Sequence, residues 1–139
     1  MSKAYRRKRM FHWVINWIKR SMALPPRWSC NRWFTQKQYS FYLRFGRHHQ
    51  DGKSYDKTVE LCNLLISDEY RGDGLFTSFV EQVEQLGCSI FVENVLQERF
   101  REFWRRRGYK ERNCGEISCF FREAKEIAVE NKRMDCSIR

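Results

Sequence analysis

The sequence predicts a mixed α/β domain (α/β, α+β in class), one sheet covered by helices. Three observations carry the prediction. Residues 59–66 form a nearly continuous apolar run, broken by Glu60 and Asn63, as expected of a central strand buried on both faces. Directly after it, Leu75, Phe76, Phe79, Val80, Val83 and Leu86 mark one face of a helix. Residues 88–92 then read as a short strand, followed by a second helical stripe.

The elements can be justified in order. Phe11, Val14, Ile15, Ile18 and Met22 recur at spacings of three, four and seven, which predicts an amphipathic helix ended by Pro25 and Pro26. It either packs on the core or lies on a membrane surface. The run Arg6, Arg7, Lys8 and Arg9 before it reads as a mobile basic terminus. Phe41, Leu43 and Phe45 alternate with Tyr42 and Arg44, so a strand lies within residues 33–46. The polar stretch 46–57 reads as a loop holding the turn Asp51-Gly52, with His48 and His49 solvated in it. Residues 67–74 form a second polar loop, and Gly87 stops the helix that follows. Asn94 and Gln97 have the spacing of a capping box, after which Leu96, Phe100, Phe103 and Trp104 face inward until Gly108. Residues 109–112 and 117–121 read as a hairpin across Asn113-Cys114-Gly115, and a polar, weakly helical tail closes the chain.

Of the 139 residues, 42% are hydrophobic and 16% aromatic, enough for a core and against disorder throughout. No apolar run approaches the roughly 20 residues that a membrane helix needs, and no secretory signal is visible. The six cysteines form no C-x-x-C pair, so zinc binding is not expected and reduced thiols in a cytoplasmic protein are. Charge is uneven. Residues 1–50 hold twelve Lys or Arg and no acid, while the remainder holds fifteen basic against seventeen acidic residues. The net +10 therefore belongs to the front of the chain. Residues 1–50 call for an acidic partner, nucleic acid or an acidic protein, with a merely solubilising surface as the alternative.

The loop 71–76 carries the strongest chemical signal. A buried strand ending in a glycine-containing loop that opens a helix leaves backbone N–H groups free, and the helix dipole favours an anion there. Gly72 and Gly74 allow close approach, and Arg71 adds charge. No Gly-Lys-Ser or Gly-Lys-Thr follows, so the loop is not a P-loop.

The segments Glu60-Leu61-Cys62-Asn63-Leu64-Leu65-Ile66 and Tyr70-Arg71-Gly72-Asp73-Gly74-Leu75-Phe76 resemble the signature of GNAT acyltransferases, R/Q-x-x-G-x-G/A after a buried strand. Val92-Glu93-Asn94, with Phe103-Trp104-Arg105-Arg106-Arg107-Gly108-Tyr109, resembles the family's second landmark. The resemblance covers about residues 38–122. It implies a single GNAT-like acyl-CoA N-acyltransferase domain, one mixed central sheet flanked by helices, acting on an amine substrate. Its expected division is a basic arm and amphipathic helix at 1–30, the acyltransferase domain at 31–122, and a polar tail at 123–139. Acetyl-CoA is the implied cofactor. Its pyrophosphate would lie on the backbone of Arg71, Gly72, Asp73, Gly74, Leu75 and Phe76, and its pantetheine arm along Ile66 and near Asn94. Glu60 matches the position of a general base that takes a proton from the amine; the alternative for a lone Glu on a central strand is an ion pair with an arginine. Two departures stand out. Phe76 replaces a small residue and narrows room over the pyrophosphate. Trp104 stands where a tyrosine often protonates the leaving thiolate, so Tyr109 or water would have to serve. The alternative reading is a GNAT-like protein without catalysis, docking through its basic half.

Overall fold

The computed structural model describes residues 2–124, so the predicted tail conformation lies outside the described residues. Helices α1 (Lys3–Met10) and α2 (His12–Met22) precede strands β1 (Cys30–Thr35), β2 (Tyr39–Gln50) and β3 (Lys53–Ile66). Then come α3 (Leu75–Gln85), β4 (Ser89–Val95), α4 (Glu98–Arg106), β5 (Lys110–Cys114) and β6 (Ile117–Arg122). The six strands form one sheet in the order β1-β2-β3-β4-β6-β5. β3 and β4 run parallel, joined through α3, and the other pairs are antiparallel.

Strand parity divides the sheet. Phe34, Phe41, Leu43, Val59, Leu61, Ile90, Val92 and Phe120 point to one face and are buried there with Phe11, Val14 and Ile18 of the α1–α2 segment and Phe79 and Val80 of α3. Phe11 sits between Phe41 and Phe79, at centroid distances of 5.9 and 5.2 Å, so the amphipathic helix closes over the core. α4 inserts Trp104 beside Phe76 and Tyr109. Trp33, Tyr42, Arg44, Glu60, Phe91 and Glu93 occupy the other face. Among the described residues, no helix is long and apolar enough to cross a membrane.

The basic terminus is not a mobile arm. Ser2 caps α1 by accepting from the Tyr5 N–H, and Arg7, Lys8 and Arg9 fall in the last turn, where cations suit the helix dipole. The Tyr39 hydroxyl donates to the Met10 carbonyl at 3.2 Å, and α1 rests against α3. The expected loop 46–57 is also corrected: β2 and β3 extend as a long hairpin to a tight turn at Asp51-Gly52. His48 is therefore a strand residue, its ring 4.1 Å from that of Phe91 rather than in solvent.

The capping box does not form. Asn94 lies within β4 at φ 56°, and α4 begins later, with Gln97 at its N-cap and no side-chain cap. Leu96 falls in the connector before that helix and is exposed, not inward. A buried acid at the far end of α3 organises the opposite corner. Glu84 accepts hydrogen bonds from the Tyr109 hydroxyl at 2.8 Å and from Arg107, and pairs with Arg122 at 2.8 Å.

Candidate functional site

β3 and β4 pair as parallel neighbours only from Thr58↔Ser89 to Leu61↔Val92, although both strands continue. Local register explains the parting. Against β2, Leu61 opposes Leu43 and Asn63 opposes Tyr42, so Cys62 is an extra residue in β3. Against β6, Val92 opposes Phe120 and Val95 opposes Ser118, so β4 also carries an extra residue over Glu93 and Asn94. A bulge bends its own strand, and here two bulges bend neighbours apart at the same level. The slot between them is a cavity of 290 Å³ lined by Cys62, Asn63 and Leu64 on one side, Glu93, Asn94 and Val95 on the other, and Phe76, Phe100 and Trp104. The left-handed Asn94 is one of its walls.

A second cavity of 530 Å³ shares Leu64, Phe76 and Phe100 with the first, so the two are neighbours with common walls. Its walls include Ile66, Arg71, Gly72, Gly74, Leu75, Phe76 and, from α4, Arg99 and Phe103. Gly72 and Gly74 have φ of 84° and 75°, backbone that a side-chain-bearing residue adopts only with strain. Gly74 is the N-cap of α3 and offers no capping side chain, so the first-turn N–H groups of Leu75, Phe76 and Thr77 need a partner from outside the helix. Arg71 is partly committed to its own loop, its Nε donating to the Ile66 carbonyl at 3.1 Å and its Nη1 lying 3.1 Å from Asp68. The Phe76 ring packs on Phe103 at 5.0 Å.

Of the residues predicted from sequence, Ile66, Arg71, Gly72, Gly74, Leu75 and Phe76 thus meet around one cavity, and Asn94 lines the neighbouring one. Asp73 lies exposed in the same loop but lines neither cavity.

Glu60 stands one residue beyond the slot, on the face it shares with Cys62 and Glu93. Arg44, its register partner on β2, bridges the two acids: Nε lies 3.2 Å from Glu60 and Nη2 2.8 Å from Glu93. Burial works against the Arg44 charge, yet the surrounding acids and thiol hold its pKa above the ordinary value. The other Glu60 oxygen faces His48 Nδ1 at 3.8 Å. Burial, with Glu93 adding to it, pushes the Cys62 thiol up to about 11, so it is a poor nucleophile at neutral pH. Ligand atoms of Glu60, Cys62 and Glu93 lie within 4.8 Å of one another, as a metal site would need, but the Arg44 guanidinium already bridges the two carboxylates.

Trp104 is 1% exposed and its ring borders the slot. Tyr109, expected as a substitute acid, is not brought to the slot. Its hydroxyl is spent on Glu84, and burial together with that acid raises its pKa far above the ordinary value. Sequence reading missed Arg44 and Glu93 as partners of Glu60. Strand alternation placed Arg44 on the polar face, but only the β2–β3 register says which acid it meets.

No protein-family model matches the sequence, and no curated protein matches it significantly. Solved structures do match. One is a mutant AtaT toxin bound to the C-terminus of the antitoxin AtaR, with 20% identity and a TM-score of 0.52, covering 67% of this chain and 62% of that chain. A second holds the same mutant toxin, the antitoxin C-terminus and acetyl-CoA, with 19% identity, a TM-score of 0.51 and coverage of 67% and 62%. This chain thus spans less than two thirds of the length of the toxin chain it matches. At such identity the likeness speaks to fold. The mixed six-stranded sheet with its flanking helices is a GNAT-like acyltransferase fold.

Proposed function

We propose that this protein is an acetyl-CoA-dependent N-acetyltransferase that moves an acetyl group to an amine by direct attack on the thioester. The observation that supports it best is the adjacency of the two cavities, which have Leu64, Phe76 and Phe100 as common walls. One begins at unpaired backbone N–H groups on the N-terminus of α3, an anion site, and the other ends in the slot where β3 and β4 part. An extended pantetheine arm laid in that slot would meet the unpaired edge of β3 as an added strand does, with the pyrophosphate on the loop of Arg71, Gly72, Asp73, Gly74, Leu75 and Phe76. The thioester would then lie toward Glu60 and Glu93.

In this reading Glu60 removes the amine proton, directly or through water, while a backbone N–H near the parting of the strands polarises the thioester carbonyl. The nitrogen–carbon bond forms, the carbon–sulfur bond breaks, and coenzyme A leaves as a thiolate. A thiolate leaves readily, so Trp104 in the place of an acid is tolerable. Residues 31–122 carry this chemistry, and the basic residues within 1–50 meet a nucleic acid or an acidic protein. Calorimetric titration with acetyl-CoA tests the proposal: micromolar binding with one site supports it, and no heat at millimolar ligand removes it.

The Arg44–Glu60 pair favours a second reading, a GNAT-like protein that binds acyl-CoA without turning it over. Binding with no acetyl transfer to any amine tested is its signature.

A further inference from the structure

We infer that Arg7, from the N-terminal helix, is a ligand to the pyrophosphate of the bound acyl-CoA; the inference rests on the acyl-CoA reading above. Arg7 is half-buried on the side of α1 that meets α3. Its Nη1 lies 3.6 Å from where a Cβ on Gly74 would stand, so the guanidinium lies alongside the N-cap of α3. Its Nε is shut off from solvent and has no hydrogen-bond partner among the described residues.

Both facts are unfavourable as they stand. A desolvated N–H without an acceptor costs free energy, and a cation at a helix N-terminus opposes the dipole. An anion on the N–H groups of Leu75, Phe76 and Thr77 reverses both terms, because it accepts from the guanidinium and suits the dipole. The space exists. A groove of 470 Å³ runs beside Arg7 and Lys8, and Gly74 and Thr77 border both it and the phosphate-loop cavity. Glu81, the acid that borders this groove, is two helical turns along α3 from Gly74. Arg71 approaches the loop from the other end. The pyrophosphate is thus gripped from two sides, by its own loop and by a helix more than sixty residues earlier in the chain.

The test is calorimetry with coenzyme A and with 3′-dephospho-coenzyme A on the full chain, its Arg7→Met variant and an Arg6→Met control on the exposed side of α1. Arg7→Met should weaken both ligands by the same factor, roughly 10- to 100-fold for a lost charge-assisted hydrogen bond. Its melting temperature should stay equal or rise, since an unpaired buried N–H has been removed, and Arg6→Met should bind as the parent does. If Arg7→Met does not fold, Arg7→Gln keeps the stem and should show the same loss. Parental affinity in a folded Arg7 variant overturns the inference and leaves the acyl-CoA reading standing. So does a loss seen with coenzyme A alone, which would place Arg7 on the 3′-phosphate. Failure of the parent to bind either ligand overturns both.

Discussion

Arg44 and Glu60 are register partners across β2 and β3, and the Nε of the one lies 3.2 Å from the carboxylate of the other. The pair is half-exposed on its Arg44 side, and Glu60 keeps one oxygen turned to His48. If Glu60 carries the proton, Glu60→Gln should leave acetyl-CoA affinity unchanged in calorimetry while turnover drops roughly 10²- to 10⁴-fold. Full turnover in that variant would assign the proton to water or to His48.

Gly74→Glu should abolish coenzyme A binding. The new side chain would leave the backbone at φ 75° and head toward the Arg7 guanidinium. It sets a carboxylate against the phosphate and takes up the cation at once. Titration of the folded variant is the check, with circular dichroism to establish folding. Parental affinity would remove the phosphate loop from the site.

Glu84 should matter to stability rather than to ligand binding. It is 7% exposed and holds Arg107, Tyr109 and Arg122. Burial alone would raise its pKa, but the bonds from Arg107 and Tyr109 prevail and hold it below the ordinary carboxylate range. Glu84→Gln leaves two half-buried cations short of a counter-charge and should cost roughly 1–3 kcal/mol in urea unfolding at pH 7. A depressed folded pKa gives stability that is complete above the unfolded value of about 4.3 and is lost as pH falls through the folded one. The parent should therefore lose stability on acidification below about pH 4.3 more steeply than Glu84→Gln. Parallel acid limbs would show that the charge at Glu84 is not what links them.

Polyanion binding should trace to the outward side of α1. Deleting residues 2–9 would not isolate this surface, because α1 rests on α3 and sets Arg7 beside Gly74. Arg6 and Arg9 are exposed and border a groove with Trp13, Gln36 and Gln38. Arg6→Glu with Arg9→Glu should weaken duplex DNA or RNA binding and flatten its salt dependence by roughly 0.9 log units for each phosphate no longer neutralised. Acetyl-CoA affinity should not change. If the parent ignores both nucleic acid and anionic vesicles at low salt, the basic surface serves solubility alone.

What could be read from the residues was what local chemistry dictates. The apolar run at β3, the two glycines opening α3 and the stripe of α3 each have a period or composition that long-range contacts did not need to supply. Asn94 shows the opposite case. Its spacing from Gln97 fits a helix cap, but the bulge over Glu93 and Asn94 claims it for β4 first. His48 looked polar and loop-like because the hairpin's partners, Phe91 and Phe121, come from strands far along the chain. Arg7 was hidden for the same reason. A basic run reads as solvated until the helix it lies on is known to lean against another helix's positive end.

The short parallel seam between β3 and β4 has a mechanical consequence. Only four register pairs, Thr58↔Ser89 through Leu61↔Val92, stitch the β1-β2-β3 half of the sheet to the β4-β6-β5 half. Beyond them, among the described residues, side chains rather than ladder bonds span the seam, Arg44 of β2 reaching Glu93 of β4 at 2.8 Å. Backbone amides beside the slot should therefore exchange with deuterium sooner than those of the β2–β3 ladder. A ligand threaded into the slot would act as the missing stitch and slow exchange on both edges together.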